Sequence, residues 1–543
     1  MGNGAFRSST HPTSRHNDAR VDVLWGVGLL LGAILLFGVD LGGLPLRDWD
    51  EGTVAQVARE IWRSPPGSLT WLYPTLDGVP YLNKPPLVHG FIALAYRFGG
   101  VNEAMSRLPG AMLSAASVPF VYAVARELFP RRTPAILAAS VYLNLLPVVR
   151  HGRLAMLDGA VLCFFCLLVW CALRSRRDVR YSLGMGIGFG LLCLTKGLLA
   201  VLLGAIVLVF LAWDTPRLLT SVYLWLGVLL GSVPAWVWYA AQWQHYGTAF
   251  IETHLIQQSA RRVWTSVEAN AGPPWYYLLE LLKYPWPWLL FWGLSWQWIW
   301  QNRNLGAAKL ILTWTGLYLA AISVMGTKLP WYVLPIYPAF ALAVGWWLGE
   351  VWREEDWTGM PREKAKPYPQ VWRVGMGVLA VAAWGAVVGV GWGTTPIDGR
   401  LVAALAVFAL TLTMTAGLLW RRDGQFVLVL VWGTYLSLLL FVTSESWIWE
   451  LNEAYPVKPV AEMIRTKTPP NQPIYTSYPY NRPSLNFYSD RQILPANFPQ
   501  LQQHWQDDQP YLLVEIATLE QLQLEGVRVL GSAEGWELVT KEQ

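Results

Sequence analysis

Long apolar runs recur along almost the whole chain, and this feature constrains its fold more than any other. The runs fit membrane spans of roughly 17 to 25 residues, and short segments that contain Pro, Gly or Arg separate them. Of the 543 residues, 54% are hydrophobic and only 14% are charged, which is too apolar for an ordinary soluble domain. The sequence therefore predicts an all-α polytopic membrane protein.

Hydropathy predicts about thirteen transmembrane helices. They lie near residues 21–43, 108–128, 134–149, 156–173, 182–195, 198–213, 218–240, 276–300, 307–326, 331–351, 373–393, 401–420 and 425–443. If the N-terminus is cytoplasmic, the short arginine-rich loops all fall on the cytoplasmic side, as the positive-inside rule requires. The run over 182–213 is ambiguous. We interpret it as two short spans that meet near Lys196, because one long span would move Arg421 and Arg422 to the outside.

This topology predicts three extracytoplasmic pieces that are larger than a connection needs. They are a loop over 45–106, a loop over 241–275 and the tail over 445–543. The tail alternates helical and strand patterns, so we expect a small extracytoplasmic α/β domain there. Its predicted helices are Pro459–Arg465 and Leu519–Leu524, and its predicted strands are Pro473–Tyr478, Tyr511–Glu515 and Val527–Leu530. The domain division is a cytoplasmic tail (1–20), a transmembrane domain (21–443) and the α/β domain (445–543).

Charge and cysteine usage exclude other classes. The net charge is only +5, and no long basic tract is present, so a nucleic-acid partner is not expected. All four cysteines lie in apolar runs. Cys163 and Cys166 have a C-x-x-C spacing, but small buried hydrophobic residues are the simpler interpretation, and no disulfide framework is predicted.

An acidic cluster follows the first predicted span. Asp48, Asp50 and Glu51 precede a helical pattern of apolar residues, which places them at a helix N-terminus near the membrane surface. Two interpretations stay open from this segment alone, since acids at a helix start also complement the helix macrodipole without any catalytic role.

Other ionisable residues favour a functional site. The predicted topology puts a scattered set of them on the same outer side, and charges near membrane segments are costly and tend to be functional. A shared outer cavity would explain the set, which comprises Lys84, Arg150, Arg153, Asp158, Lys196, His254, Arg261, Arg262 and Lys328.

Each of these residues also has a structural alternative. Asp158 could pair with Arg153 in a polar turn. Lys84 could extend its ammonium group to the membrane interface, although Pro85–Pro86 fix an extended backbone that would aim it. His254 could be a metal ligand or an acid/base, yet a single histidine is more often a packed residue.

The chain also carries ordered sequence blocks that resemble a known family. The blocks resemble the polyprenyl-phosphate-sugar-dependent glycosyltransferases of family 39, which have the GT-C architecture and include protein mannosyltransferases and the lipid A aminoarabinose transferase. They are Asp50–Gly52 with Ala58–Glu60, Gly78–Leu87, Arg107–Pro109, Arg153–Asp158, Thr195–Gly197 and Lys328–Pro338. The resemblance implies transfer of a sugar from a polyprenyl-phosphate donor to a lipid, glycan or protein acceptor at the outer membrane face, with inversion.

The resemblance also implies roles for individual residues. Asp50 is the candidate catalytic carboxylate that orients or deprotonates the acceptor hydroxyl, and Asp48, Glu51 and Asp158 are candidate acidic support. The candidates for binding the donor phosphate are Lys84, Lys328, Tyr332, Arg261 and Arg262, and further candidates are Asn83, Arg153, Lys196 and His254.

One position departs from the family pattern. The aminoarabinose transferases commonly have a glutamate before the clamp lysine, and it joins a histidine in binding a divalent metal. Here that position is Asn83, and an amide oxygen is a poorer ligand for a zinc-like ion. A divalent metal at His254 stays open, and no cofactor is definitely implied.

Two rival functions remain at this point. A protein O-mannosyltransferase-like activity would differ only in its acceptor. A transporter or lipid flippase belongs to another class, but transport sites usually lie near the bilayer midplane within repeats, whereas these charges gather on one side and no repeat is visible. Either enzyme would act in the cytoplasmic membrane, in contact with membrane lipids.

Overall fold

The computed structural model describes residues 12–266, 270–356, 367–393, 397–449, 457–470, 472–507 and 510–542. Helices dominate this part of the chain. They are α1 (Pro12–Gly38), α2 (Asp50–Arg63), α3 (Leu87–Gly99), α4 (Glu103–Leu128), α5 (Arg132–Leu143), α6 (Leu146–Arg153), α7 (Asp158–Ser175), α8 (Tyr181–Lys196), α9 (Leu198–Asp214), α10 (Pro216–Leu219), α11 (Val222–Tyr246), α12 (Thr248–Phe250), α13 (Arg261–Trp264), α14 (Tyr276–Lys283), α15 (Leu289–Gln301), α16 (Gly306–Val324), α17 (Tyr337–Asp356), α18 (Gln370–Gly393), α19 (Gly399–Trp420), α20 (Phe426–Phe441), α21 (Val457–Lys467), α22 (Pro483–Ser489), α23 (Phe498–His504) and α24 (Ile516–Leu522).

Two further helical segments have other geometries. Ile251–Ala260 is a π-helix, and Pro330–Ile336 is a 3₁₀-helix. The 3₁₀ geometry fits the sequence, because Pro330 and Pro335 remove backbone donors that a continuous α-helix would use. The strands are β1 (Thr75–Leu76), β2 (Val79–Pro80), β3 (Ile474–Thr476), β4 (Ile493–Pro495), β5 (Tyr511–Glu515), β6 (Val527–Ala533) and β7 (Trp536–Lys541).

Apolar helices form the membrane part. Within the described residues, eight segments are long and apolar enough to cross a bilayer, and the pair α5–α6, which bends by 57°, would make a ninth. The eight are Ala19–Gly38, Glu103–Leu128, Asp158–Ser175, Val222–Tyr246, Gly306–Val324, Pro330–Trp352, Gln370–Gly393 and Gly399–Trp420.

The predicted count of about thirteen spans is not confirmed. Helical segments do occupy all thirteen predicted positions, but α8, α9, α15 and α20 have only 13 to 17 residues. At about 1.5 Å per residue they are shorter than a hydrocarbon core of about 30 Å. The ambiguous run is two helices, since it breaks at Gly197, whose φ of +51° suits a residue without a side chain. The segment 45–106 also contains the apolar helix α3, which hydropathy did not separate.

The predicted N-terminal boundary is shifted. The tail 1–20 lies partly outside the described residues, and α1 already begins at Pro12. The helix therefore extends about two turns before the apolar segment begins.

A small α/β domain follows the membrane part, as predicted. Its five strands lie in the order β4-β3-β5-β7-β6, with β3, β4 and β5 parallel and β7 antiparallel to both of its neighbours. Apolar clusters lie on the sheet with α21 and α22 and, separately, with α23 and α24. Helix α22 packs on α2, which places this domain directly beside the acidic cluster.

Candidate active site

Asp50 begins helix α2, immediately after the exposed Trp49. The apolar face of α2 is buried, which fixes the helix. The Oδ2 atom of Asp50 is also buried and has no hydrogen-bond partner among the described residues. Burial raises the pKa of the Asp50 carboxyl to about 6, the nearby charge of Arg47 opposes that shift, and the charge of Asp158 adds to it. A desolvated carboxyl without a partner is suited to accept a proton.

Glu51, the next residue, is fully buried and has a different environment. Its two oxygens accept hydrogen bonds from Arg107 Nε and Nη2, both at 2.7 Å, and Ala155 N donates to Oε1 at 2.7 Å. Arg107 also donates to the carbonyls of Leu41 and Pro45. The backbone nitrogen of Arg47 donates to Oε2 at 3.0 Å, so each oxygen of Glu51 accepts two hydrogen bonds, and this residue ties α2 to α4 and to the segment that follows α1.

We expect Glu51→Gln to destabilise the protein strongly, because the Arg107 guanidinium would remain buried without its counter-charge. Breaking a buried ion pair from one side costs about 3–5 kcal/mol. Glu462→Gln is the matched control, since Glu462 and Arg465 form an ion pair in which both side chains are more than half exposed. Such pairs contribute about 0–1 kcal/mol. Thermal unfolding of the two purified variants compares them, and equal losses would contradict a stabilising role for Glu51.

Asp158 and Lys196 form an ion pair in the site. Lys196 Nζ donates to Asp158 Oδ1 at 2.8 Å, and the side chains are 15% and 7% exposed. Asp158 begins α7 and Lys196 ends α8, so two helix termini bring them together. The Oδ2 atom of Asp158 is buried without a hydrogen-bond partner among the described residues. The alternative in which Asp158 pairs with Arg153 is wrong.

Arg153 instead has a structural environment. Its guanidinium donates to the carbonyls of Leu36, Phe37 and Val442, at the ends of α1 and α20. These carbonyls lack helical partners. Arg153 therefore joins two helix termini.

Lys84 lies in the loop between β2 and α3 and is half-buried. No hydrogen bond or ion pair is formed by its ammonium group within the described part of the chain. Burial lowers the pKa of Lys84 to about 7, and the positive charges of Lys196 and Arg262 lower it further. Charges from three separate segments thus converge on one place, and Asp158 lies among them.

Of the residues predicted to bind the donor phosphate, Arg262 and Tyr332 are in contact. It donates to Tyr332 Oη at 3.2 Å and to Gln258 Oε1 at 3.2 Å. Lys328 differs, because its ammonium group donates to the carbonyls of Ile322 and Ser323 at 3.0 and 2.7 Å and caps α16. Arg261 is exposed, so neither it nor Lys328 has the environment of Lys84.

His254 is buried, and both of its ring nitrogens have partners. Nδ1 lies 3.1 Å from the carbonyl of Leu82, and Nε2 lies 3.2 Å from Tyr239 Oη. Since a carbonyl can only accept, Nδ1 carries the proton, and Nε2 faces the Tyr239 hydroxyl, which also lies within hydrogen-bond distance of the Cys193 carbonyl at 3.3 Å. Burial lowers the pKa of His254 to about 4, so the ring is neutral.

These contacts do not fit a metal site. Within the described ranges, no group of three or more His, Cys, Asp or Glu side chains is arranged to hold an ion. The position beside His254 that could add a carboxylate is Asn83. His254 instead holds the backbone next to Lys84 by its hydrogen bond to the carbonyl of Leu82.

Asp48 faces away from the other acids, towards the C-terminal domain. Ser484 donates its hydroxyl to Asp48 Oδ1, and Arg482 Nε lies 3.5 Å from Oδ2. Sequence reasoning missed these two residues, and also missed Arg47, which lies only three positions before Asp50. Arg47 had a usable signal in its closeness to the acidic cluster, whereas Ser484 and Arg482 are more than 430 positions away and have none.

Known proteins share both sequence and fold with this chain. Residues 83–239 match the family model described as dolichyl-phosphate-mannose-protein mannosyltransferase. An undecaprenyl phosphate-alpha-4-amino-4-deoxy-L-arabinose arabinosyl transferase of Pseudomonas fluorescens is 28% identical over 338 residues, which is 59% of each chain. One from Erwinia tasmaniensis is 28% identical over 306 residues, 54% of each chain. The chain thus spans roughly three fifths or less of the length of these relatives.

Solved structures agree over nearly the whole chain. ArnT from Cupriavidus metallidurans, solved bound to undecaprenyl phosphate and in the apo state, superposes with a TM-score of 0.76 at 18% identity, covering 95% of this chain and 98% of that one. The archaeal oligosaccharyltransferase AglB from Archaeoglobus fulgidus has a TM-score of 0.52 at 13% identity, covering 92% of this chain and 70% of that one. The resemblance drawn from the sequence blocks is therefore confirmed: residues 83–239 match the mannosyltransferase family model, and the chain shares the fold of ArnT.

Proposed function

We propose that this protein is a membrane glycosyltransferase that moves a sugar from a polyprenyl-phosphate donor to an acceptor, with inversion at the anomeric carbon. One observation carries the proposal. The buried Oδ2 atom of Asp50 and the ammonium group of Lys84 have no hydrogen-bond partner within the part of the chain that the structure describes, and they belong to one electrostatic cluster with the side chains of Arg262, Asp158 and Lys196. A base and a set of cations in one desolvated site match the two needs of this reaction.

The proposed step is a single displacement. The acceptor hydroxyl gives its proton to Asp50 while its oxygen bonds to the anomeric carbon from the face opposite the phosphate. The bond from that carbon to the phosphate oxygen breaks, and its electron pair leaves with the polyprenyl phosphate. Lys84 and Arg262 stabilise the charge that develops on the phosphate, because donors aimed at a developing oxyanion act most strongly in a dry site. The ion pair with Asp158 holds Lys196, the third cation of the site, beside Lys84 and Arg262.

The names of the relatives suggest the substrate class. The arabinosyl transferases are named for a lipid-linked aminosugar, which suggests an undecaprenyl-phosphate sugar as the donor for this chain. We propose a lipid or glycan as its acceptor. A protein acceptor is the second candidate, and the family description of the segment 83–239 favours it. A transporter is not favoured, because the charges meet beside an extramembrane domain and not in a path through the bilayer.

We also propose how the chain is arranged in the membrane, with the site on the side from which a lipid-linked donor can reach it. Thirteen segments within 21–443 cross the cytoplasmic membrane, the tail 1–20 is cytoplasmic, and 445–543 form the extracytoplasmic domain. The loops 45–106 and 241–275, which contribute Asp50, Lys84 and Arg262, then lie on the same side as that domain. Membrane lipids and a lipid-linked donor can reach a site at this interface from the bilayer.

Mass spectrometry of membrane lipids and glycans, from cells with and without the gene, tests the proposed function. We expect one glycan or lipid class to lose a single sugar in the cells that lack the protein, and the polyprenyl-phosphate sugar to accumulate. Complementation with the wild-type chain should restore the product. Unchanged lipids, glycans and glycoproteins would contradict the proposal, while a product confined to proteins would favour the second candidate.

The pH dependence of the reaction provides an independent expectation. Asp50, with its pKa raised to about 6, must be ionised to act, so activity falls as the pH drops below that value. Lys84, with its pKa lowered to about 7, must be protonated, so activity falls as the pH rises above that value. We expect a bell-shaped profile of kcat/KM between these limits. In Lys84→Arg the alkaline limb should disappear, because arginine stays protonated. A flat profile across both pKa values would contradict these assignments.

A further inference from the structure

Asp48 is separated by only one residue from Asp50, yet its side chain belongs to an interface between domains. It is 3% exposed. The Ser484 hydroxyl at the first turn of α22 donates to Asp48 Oδ1, and Arg482 lies 3.5 Å from Oδ2. A buried carboxylate with a hydroxyl and a guanidinium beside it is satisfied by the C-terminal domain and has no free oxygen for substrate.

A second contact joins α2 and α22 at this junction, and it is made by the backbone at Gly52. A Cβ on Gly52 would lie only 2.6 Å from the backbone nitrogen of Ser484. No side chain fits at that distance, so α22 lies directly against the first turn of α2. Asp48 and Gly52 thus contact Ser484 on either side of Asp50, and the catalytic turn is held between them.

A second group of contacts holds the same two helices farther from Asp50. Arg59 donates to the carbonyls of Asn486 and Phe487 and pairs with Asp490. Arg63, which is 49% exposed, also pairs with Asp490 at 2.7 Å. These contacts dock the domain on α2, but they lie two to three turns from the acidic cluster. A change to these contacts therefore weakens docking of the C-terminal domain without changing the contact between Asp48 and Ser484.

We infer that Asp48 is a positioning residue through which the C-terminal domain sets the orientation of Asp50. The inference rests on the proposed function, because it assigns Asp50 the role of base. Its physical basis is that Oδ2 of Asp50 has no hydrogen-bond partner among the described residues, so the direction of the carboxylate depends on how the turn 48–52 is held. A small displacement of a catalytic group lowers the rate of the chemical step more than it weakens donor binding.

Steady-state kinetics of the protein in lipid nanodiscs test this inference. The probe is the undecaprenyl-phosphate sugar that the lipid analysis identifies, and release of undecaprenyl phosphate is the readout. We expect Asp48→Ala and Ser484→Ala each to lower kcat by about tenfold or more with the donor KM within about twofold. The double variant should be no slower than Asp48→Ala, since both changes remove the same contact. Asp48→Asn should recover part of kcat, because an amide oxygen still accepts from Ser484.

Arg63→Ala is the matched control, since it weakens docking of the same domain without touching the junction. We expect its kcat to stay within about twofold of the wild type. The inference is overturned if Asp48→Ala keeps the kcat of the wild type, or if Arg63→Ala lowers kcat as much as Asp48→Ala does. It is also overturned if Asp48→Ala raises the donor KM as strongly as it lowers kcat. Should Asp48→Ala not fold, Ser484→Ala alone decides between these outcomes. Failure of the proposed function is distinct, because the wild-type protein would then release no undecaprenyl phosphate.

Discussion

Replacing Asp50 by asparagine is expected to abolish sugar transfer while the protein stays folded in the membrane. The amide keeps the shape of the side chain but cannot accept the proton of the acceptor hydroxyl. Loss of a positioned general base costs on the order of 10²–10⁴ in rate. The Oδ2 atom of Asp50 makes no hydrogen bond in the described structure, so the substitution breaks no hydrogen bond at that atom and we expect the fold to be kept. Release of undecaprenyl phosphate by the purified variant, with thermal unfolding in parallel, measures both parts.

Asp178→Asn serves as the control for this substitution. Asp178 is exposed in the turn between α7 and α8, and its carboxylate accepts from the backbone nitrogen of Arg180. It has no contact with the site, so we expect wild-type turnover. Near-normal turnover in Asp50→Asn would show that the proposed mechanism is wrong. Loss of turnover together with a large loss of thermal stability would instead assign Asp50 a structural role.

The two neighbours of Asp50 show what the sequence alone could not separate. Asp48, Asp50 and Glu51 have the same charge and the same distance from the first span, and the pattern predicts one acidic group for all three. In the structure, Glu51 pairs with Arg107 and Asp48 faces Ser484, while Asp50 alone keeps an oxygen without a partner. Their roles differ because of contacts with residues 56 to 436 positions away, which no local pattern encodes.

The sequence predicted the positively charged residues of the site better than the acidic ones. The sequence placed Lys84, Lys196 and Arg262 on one side of the membrane, and their charges do act on one another in the structure. Topology was sufficient for this prediction, because helix ends and loops on the same side of a helical bundle have few positions available and so lie close together. It was not sufficient for Lys328 or Arg153, which bind helix-terminal carbonyls. A charge that caps a helix and a charge that binds substrate have the same hydropathy.

The fold was predictable to a similar depth. Apolar length located the helices well, since each predicted span coincides with a helix or a helix pair. It did not determine which of them cross the membrane fully, because helices such as α9 and α20 have intermediate lengths. In the C-terminal domain the sequence indicated β3, β5 and β6 but not β4 or β7. The short β4 pairs with β3 at the edge of the described sheet. β7 forms a hairpin with β6 and also pairs with the earlier strand β5, so its place in the sheet depends in part on a non-local partner.

Replacing Lys84 by alanine is expected to weaken use of the donor by about 10²-fold in kcat/KM, the usual cost of losing one donor to a developing oxyanion. The ammonium group has no protein partner in the described structure, and its pKa is lowered to about 7. Binding of a lipid phosphate should therefore raise that pKa and draw a proton from solvent. Calorimetric titration of the wild-type protein with undecaprenyl phosphate, in two buffers with different ionisation enthalpies, measures this uptake, which should disappear in Lys84→Ala.

Lys467→Ala is the control for the loss of a positive charge, since Lys467 is exposed at the end of α21 in the C-terminal domain. We expect it to bind undecaprenyl phosphate and to turn over the donor like the wild type. Undecaprenyl phosphate that bound to Lys84→Ala with unchanged affinity and unchanged proton uptake would assign phosphate binding to Arg262 and Lys196 instead. Because those two cations remain in the variant, residual turnover is expected, whereas Asp50 is the only residue to which the mechanism assigns proton acceptance. The loss from Lys84→Ala should accordingly be smaller than the loss from Asp50→Asn.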